Sequence, residues 1–208
     1  MYNTIVRVIE ACEKAYVDKE VRDSIILTIS DVLADYPQFF WFEGKFRTRI
    51  EGSKIEIIPK YVYSSQEIEE GKRQIESIVS YFESLSFEND IVKIKTVYDW
   101  LLDNVEYSSE NGGQNIYNAL VERKAVCKGI SKAYQHLLPK LGAHCVIEYG
   151  TIDGHSRHAW NVVDLDKQTY YVDVSLANRQ FDFLFEDEHK DDRYRCFMKT
   201  RRMFEVII

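Results

Sequence analysis

The N-terminal part of the chain first shows a helical spacing of apolar residues. Apolar residues recur at i, i+3 and i+4 over 3–16 and again from about Val21 to Ala34. This spacing predicts two amphipathic helices, the first with Tyr16 on its inner face. The second should end before Pro37, because the residue that precedes a proline disfavours the α conformation. The aromatic run at 39–42 that follows is interpreted as core packing between two layers.

A β-hairpin and two further helices are predicted next. Residues Lys45–Ile50 and Lys54–Lys60 lie on either side of a Gly-Ser pair, and the first of them alternates polar and apolar residues. Ser64 and Glu67 have the spacing of a capping box, so a helix should run from there to about residue 85, and another should begin near Asn89 or Asp90. The residues expected on the buried face of the hairpin are Phe46, Thr48 and Ile50.

In the C-terminal half, a helix is predicted to give way to a small antiparallel sheet. Apolar residues after Val126 mark one helix face, and Gly142 stands where that helix should stop. After Gly142 the apolar residues recur with a period of 2 residues instead of 3.6, which predicts strands at 143–149, 158–164 and 169–174. We therefore expect an α+β fold, with a helix packed on an antiparallel sheet and a helical N-terminal region that carries the small hairpin.

Composition and charge exclude several classes of function. With 27 basic and 34 acidic residues the net charge is −7, which disfavours binding to nucleic acid or to an anionic membrane. No run of about 18 apolar residues predicts a membrane span, and the first residues do not resemble a secretory signal. The four cysteines form no Cys-x-x-Cys pair. Reduced thiols and a cytoplasmic location are therefore expected.

Cys127 is a candidate nucleophile because it lies at the predicted start of a helix. The unpaired backbone N–H groups and the helix dipole at that end stabilise an anion, so a thiolate there can have a lowered pKa. Lys124 and Lys128 are expected to add positive charge nearby. Gly129 would let another chain, including a substrate, approach closely.

The predicted hairpin places a histidine and an aspartate on one face of the sheet. If its turn is centred between Asp166 and Lys167, Asp173 lies opposite Trp160 and becomes a diagonal neighbour of His158. Cys127, His158 and Asp173 then supply a nucleophile, a base and an orienting carboxylate. His155 is a weaker candidate for the base, because it precedes the strand and lacks an Asp partner of matching parity.

These residues stand in sequence motifs that resemble the transglutaminase-like superfamily, whose core is papain-like. The motifs are Ala-Val-Cys-Lys-Gly around Cys127, His-Ala-Trp-Asn-Val-Val from His158, and Tyr-Tyr-Val-Asp-Val around Asp173. Residues 36–63 also resemble the N-terminal part of bacterial members. The resemblance implies a catalytic triad of these three residues. The chain departs from many relatives after Asp173, where they continue with Thr and an aromatic residue.

The resemblance leaves the second oxyanion donor open. The backbone N–H of Cys127 is the natural first donor. Gln114, Tyr107 and Asn115 lie upstream and could supply the second, with Gln114 and Tyr107 the leading candidates, and Trp160 is a candidate substrate contact. We expect residues 1–88 to form the N-terminal region and 89–208 the catalytic core. No cofactor or metal is expected, since no zinc-like ligand spacing joins His155, His158 and Cys145.

The expected function is cysteine-dependent acyl transfer on a peptide or protein amide. Hydrolysis through a thioester is favoured, because nothing in the sequence indicates a dedicated amine site. One alternative is transglutaminase or deamidase action on protein glutamine. Another is a catalytically silent module that binds a peptide or a glycan. The acidic run at 186–192 is interpreted as a solvated loop, or as an acidic lip that selects basic substrates.

Overall fold

The computed structural model describes residues 1–152, 154–178, 181 and 192–204. They form two compact units, Met1–Lys72 and Arg73–Ile208, each of which combines helices with an antiparallel sheet. The α+β class is therefore confirmed, while the predicted boundary at residue 88 stays a prediction. The acidic run at 186–192 lies, apart from Asp192, outside the described residues. No helix among the described residues is long and apolar enough to cross a membrane.

The N-terminal unit is built around a three-stranded antiparallel sheet. Its strand order is β1-β3-β2, so β3 is the central strand. The aromatic run at 39–42 is buried, as predicted. The capping box also forms, because the backbone N–H of Ser64 donates to Glu67 Oε2 at 2.7 Å. The elements are α1 (Tyr2–Ala11), β1 (Ala15–Asp18), α2 (Ile25–Asp35), β2 (Phe42–Glu51), β3 (Lys54–Tyr61) and the beginning of α3 (Ser65–Glu83).

The first predicted helix was too long, because its last residues form β1. The chain leaves α1 at Cys12, which has a left-handed backbone with φ 55°. Tyr16 then pairs with Glu56 of β3, and its side chain is exposed instead of facing the core. Cys12 and Tyr16 are four residues apart and so imitate a helical stripe. The edge of the hairpin nevertheless binds this segment as a third strand, a contact that local spacing does not reveal.

The hairpin forms where it was predicted, but its predicted buried face was wrong. Thr48 is exposed and Ile50 is 51% exposed. Ile55 and Ile57 of β3 are buried instead. β2 lies at the edge of the sheet, whereas side chains of the central strand are covered by neighbours on both sides, and this position decides which residues are buried.

The C-terminal unit packs a helix on a second antiparallel sheet of order β6-β7-β8. Ser131 Oγ donates to the carbonyl oxygen of Ala159 at 3.1 Å, and Asn161 Nδ2 donates to the carbonyl oxygen of Ser131 at 3.0 Å. These bonds join α5 to β7. The remaining elements are α4 (Asp90–Asn104), β4 (Glu106–Tyr107), β5 (Lys124–Ala125), α5 (Cys127–Lys140), β6 (Cys145–Ile152), β7 (Ser156–Leu165), β8 (Gln168–Val172) and α6 (Arg201–Phe204).

The predicted register of the β7–β8 hairpin is confirmed. Leu165 pairs with Gln168, and the ladder continues to Asn161 and Val172. The two turn residues between the strands, Asp166 and Lys167, both have positive φ, as a two-residue hairpin turn requires. The ladder ends one residue before Asp173, whose backbone N–H donates to the carbonyl oxygen of Cys196 at 2.9 Å. Asp173 therefore lies at the strand end that leads towards His158.

Candidate active site

Cys127 is the first residue of α5 and is partly buried. Val126 precedes it in an extended conformation, with φ −91° and ψ 178°, so the chain changes direction at Cys127. This position leaves the first backbone N–H groups of the helix without helical partners. The dipole of a helix of this length favours a negative charge at that end.

A loop of the chain itself packs against the start of this helix. The backbone N–H of Val126 donates to the carbonyl oxygen of Gly113 at 3.0 Å. A Cβ atom on Gly129 would lie 2.3 Å from that same oxygen, so only glycine fits there. The chain that approaches Gly129 is therefore this loop, where we had expected a substrate.

His158 and Asp173 are brought together, as the hairpin register predicted. His158 Nε2 lies 2.5 Å from Asp173 Oδ2, and both side chains are 1% exposed. The other carboxylate oxygen, Oδ1, accepts bonds from Ser175 Oγ at 2.7 Å and from the backbone N–H of Leu176 at 3.0 Å. Both oxygens therefore act as acceptors, which holds the carboxylate in one orientation.

Cys127 and His158 are hydrogen-bonded and shift each other's pKa. Burial raises the pKa of Cys127, but the hydrogen bond and positive charge of His158, with the backbone N–H of Ala159, lower it below its usual value. Burial also lowers the pKa of His158, yet Asp173 and Cys127 raise it well above its usual value. The site therefore favours a thiolate beside an imidazolium.

Lys124 does not act as we expected. Its Nζ atom lies 2.6 Å from Glu110 Oε2, so its charge is paired with that carboxylate. The dominant positive charge that acts on the Cys127 thiolate is that of His158.

Of the two candidate oxyanion donors, the structure places Tyr107 at Cys127. The Tyr107 hydroxyl hydrogen-bonds with the thiol and accepts from the backbone N–H of Cys127. Burial and then the charge of Cys127 raise the pKa of Tyr107 to about 12, so the hydroxyl keeps its proton. Gln114 is exposed on the loop that precedes the buried Asn115.

Trp160 lies beside His158 as a packed side chain. Its ring is buried, 6.1 Å from the His158 ring between centroids, and Nε1 donates to Glu148 Oε2 at 3.3 Å. It packs with Val162, Tyr171 and Phe204. Trp160, the candidate substrate contact, is therefore observed as a buried side chain that packs beside the imidazole of His158.

Two contacts were missed from the sequence. Ser175 holds Asp173, and the only sequence signal for it was the departure from the usual residues after the Asp. Phe181 packs edge-on against Tyr107, with ring centroids 4.9 Å apart, and lies 6.4 Å from the His158 ring. No spacing rule connects residues so distant along the chain.

The alternative candidates lie elsewhere in the fold. His155 is exposed in the loop before β7, and Cys145 is buried. Within the described ranges no group of three His, Cys, Asp or Glu side chains could hold a metal ion.

A thiol, an imidazole and a carboxylate that are hydrogen-bonded in series are the groups that cysteine-dependent enzymes use. The fold and this arrangement put the C-terminal unit in that general class of protein. Residues 83–174, a little under half of the chain, match the model of the transglutaminase-like superfamily. This segment of the chain is therefore similar to that superfamily.

Solved structures and curated proteins were also compared. One similar structure, titled as that of a TGase, has 14% identity and a TM-score of 0.44, covering 78% of this chain and 50% of that chain. A candidate cysteine protease from Cytophaga hutchinsonii has 12% identity and a TM-score of 0.41, covering 63% of this chain and 61% of that chain. The chain thus spans half the length of the first. No curated protein matches the chain.

Proposed function

We propose that this protein hydrolyses a peptide or protein amide by cysteine-dependent acyl transfer. Cys127 is the nucleophile, His158 the general base and acid, and Asp173 the residue that orients the imidazole. The observation that carries this proposal is the continuous hydrogen-bonded series from the Cys127 thiol through His158 to Asp173.

The reaction proceeds in two halves. The Cys127 thiolate attacks the carbonyl carbon of the amide, and the C–N bond breaks as the His158 imidazolium donates its proton to the leaving amine. In the second half the neutral imidazole takes a proton from water, and the resulting hydroxide attacks the thioester. The C–S bond breaks, the carboxylic acid leaves, and the thiolate–imidazolium pair is restored.

Two donors for the oxyanion are proposed at the start of α5. The backbone N–H of Cys127 donates to the hydroxyl of Tyr107 beside the thiol, and both groups would donate to the substrate oxygen when it takes that place. Tyr107→Phe should lower kcat by about 10²- to 10³-fold. The control variant Gln114→Ala, which changes an exposed side chain in the loop after β4, should leave kcat within about twofold of the wild type. A large loss of kcat in Gln114→Ala and a small one in Tyr107→Phe would assign the second donor to Gln114.

Transfer of the acyl group to an amine is the second candidate function, favoured by the superfamily match over 83–174. It uses the same thioester, with an amine in place of water. Incorporation of a fluorescent primary amine into a glutamine-containing protein separates the two functions. Label that appears only with intact Cys127 would favour transamidation, and free acid with no label would favour hydrolysis.

The decisive experiment is the pH dependence of Cys127 alkylation by iodoacetamide, followed by peptide mass spectrometry. In the wild type the rate should titrate below the free thiol value of about 8.5. In His158→Gln the hydrogen bond and charge that lower the pKa are lost while burial remains. The titration should therefore move above that value.

The matched control is His155→Gln, which removes an exposed imidazole three residues away and should leave the profile unchanged. A wild-type thiol that titrates near the free value, or one that does not respond to His158→Gln, would contradict the proposal. The silent binding module would then replace it.

A further inference from the structure

The sheet continues past the start of α5 and leaves a small exposed surface next to the nucleophile. Cys145, Ile147 and Tyr149 share the face of β6 that α5 covers. Cys145 is buried there, but Tyr149 is 54% exposed, because α5 begins only at Cys127. Thr151 and Arg157, a cross-strand pair farther along the same face, are also exposed. We call Tyr149, Thr151 and Arg157 the shelf.

The shelf adjoins the thiol. The backbone N–H of Ala159 hydrogen-bonds with the Cys127 sulfur, and Tyr149 is the cross-strand partner of Ala159. Directly opposite residues in an antiparallel pair are separated by only about 5 Å. Burial of its hydroxyl end, and then the charge of Cys127, raise the pKa of Tyr149. The side chain of Tyr149 is thus about half exposed and lies close enough to Cys127 for that charge to raise its pKa.

Arg157 brings an uncompensated positive charge to this surface. It lies two residues from Ala159 on the same strand face, a distance of about 7 Å between Cα atoms. Its side chain forms neither an ion pair nor a hydrogen bond with any residue that the structure describes. The chain as a whole carries a net charge of −7, so an unpaired guanidinium beside the nucleophile is a specific feature of this face.

We propose that the shelf is a substrate subsite for an acidic peptide, in which Arg157 pairs with a carboxylate and Tyr149 packs against the residue that carries it. An extended peptide advances about 3.5 Å per residue. The separation of about 7 Å therefore places the carboxylate one or two residues from the attacked amide. This assignment rests on the proposed function of Cys127.

The first test compares two alkylating reagents of similar size, neutral iodoacetamide and anionic iodoacetate, on the full chain. The ratio of their rates at Cys127 measures the local positive potential without requiring a peptide substrate. Arg157→Gln should lower the iodoacetate-to-iodoacetamide ratio by about two- to sixfold, the effect of one unit charge about 8 Å away at an effective dielectric constant of about 40 to 80.

The matched control is Lys140→Gln, which removes the same charge from the far end of α5, about 20 Å along the helix. It should leave the ratio unchanged, because that separation exceeds the Debye length of about 10 Å at 0.1 M salt. An equal ratio in the wild type and in Arg157→Gln would overturn the subsite. The iodoacetamide rate and its pH profile report the thiolate–imidazole pair separately, so failure of the proposed function would be seen independently.

The second test measures kcat/KM for peptides that differ only in Asp or Asn next to the attacked amide. The wild type should prefer Asp by about two- to sixfold, and Arg157→Gln should abolish the preference. Tyr149→Ala should raise KM for both peptides, while Tyr149→Phe should retain the wild-type KM, because the ring provides the contact. Equal kcat/KM for both peptides in the wild type would overturn the proposal.

Discussion

Each unit of this protein buries a carboxylate beside a three-stranded sheet, and the two carboxylates have different partners. Glu56 of β3 is covered by long surface side chains, with Lys14 Nζ at 3.0 Å and the Tyr16 hydroxyl at 3.2 Å, both on Oε1. Arg49 Nη1 approaches Oε2 at 3.5 Å, outside good hydrogen-bond geometry. These three partners are exposed to solvent. Asp173 instead has both oxygens bonded by buried groups.

The difference shows that burial of a charge does not by itself indicate a catalytic role. Lys14 and Arg49 stay charged and hold Glu56 as a structural ion cluster. His158 is an imidazole that can donate and accept a proton, and it links Asp173 to the Cys127 thiol. A buried carboxylate becomes a candidate catalytic group when its partner can titrate and that partner touches a nucleophile.

Isosteric amide substitutions test this contrast most directly. Asp173→Asn cannot satisfy both sides of the site, because Ser175 and Leu176 already require one oxygen and the remaining NH₂ would face His158. The imidazole would adopt the wrong tautomer, so kcat should fall by about 10³- to 10⁴-fold. Glu56→Gln should leave kcat within about twofold of the wild type. Steady-state kinetics on an amide substrate checks both, and equal losses would remove the distinction.

Glycines of the two sheets provide the next comparison. A Cβ on Gly150 would lie 2.4 Å from Trp160 Cη2, so Gly150→Ala should displace the ring beside His158. We expect a loss of about 1–3 kcal/mol in unfolding free energy and a fall in activity of about tenfold. Gly52 lies in the β2–β3 turn with open space around it and φ +60°. Gly52→Ala should therefore cost about 1 kcal/mol from backbone strain and leave activity unchanged.

Denaturant unfolding and kinetics on the same two variants separate packing from strain. Trp160→Phe in the Gly150→Ala background lacks the clashing atom and should recover part of the lost activity. Unchanged activity in Gly150→Ala alone would mean that the Trp160 ring does not position His158.

Two serines whose hydroxyls form only local hydrogen bonds give a smaller effect. Ser175→Ala removes the donor at 2.7 Å from Asp173 Oδ1, which should cost about 1–2 kcal/mol and lower kcat severalfold. Ser64→Ala removes the N-cap of α3, whose Oγ accepts from the backbone N–H of Glu67 at 3.3 Å, and should cost about 1 kcal/mol. Only the first should change kcat. A fall in kcat in both would indicate a general effect of stability.

The smallest expected effect concerns pH and salt at Glu56. Its hydrogen bond with Lys14 is the largest contribution that lowers its pKa. A lowered pKa stabilises the fold above the unfolded value of about 4.3, and this stabilisation is lost as the pH falls through the folded value. Wild type should therefore exceed Glu56→Gln in Tm by about 1–3 °C at pH 6 and by less near pH 3.

In about 1 M salt the difference at Glu56 should shrink, because its cations are exposed and screened. The Tm difference between wild type and Asp173→Asn should change little with salt, since the partners of the Asp173 carboxylate are buried. A salt response of equal size at both carboxylates would contradict the comparison.

Local spacing predicted the parts of the fold that short-range contacts define. The β7–β8 register follows from a two-residue turn, so the face shared by His158 and Asp173 could be read from residue numbers. The capping box at Ser64 is another contact between residues three apart. In both cases only a few residues connect the two partners, so few other arrangements of them are possible.

Contacts between distant parts of the chain could not be predicted in this way. Tyr16 became a strand residue, and Ile50 became exposed, because of where β1 and β2 lie in the sheet. Tyr107, instead of Gln114, reaches Cys127 because β4 pairs with β5, so that Tyr107 lies opposite Ala125, two residues before Cys127. These outcomes depend on how whole elements pack.

The sequence alone determined three features: the α+β class, the position of Cys127 at the start of a helix, and the face of the sheet that His158 and Asp173 share. Helix capping, turn geometry and strand parity act over a few residues, so they are encoded in spacing. The tertiary structure alone decided that Tyr107 contacts the Cys127 thiol, which groups bind Asp173 Oδ1, and that Tyr149 and Arg157 are exposed beside Cys127. Those features lie around the start of α5, where the helix no longer covers the sheet. They therefore depend on how elements far apart in the chain pack together.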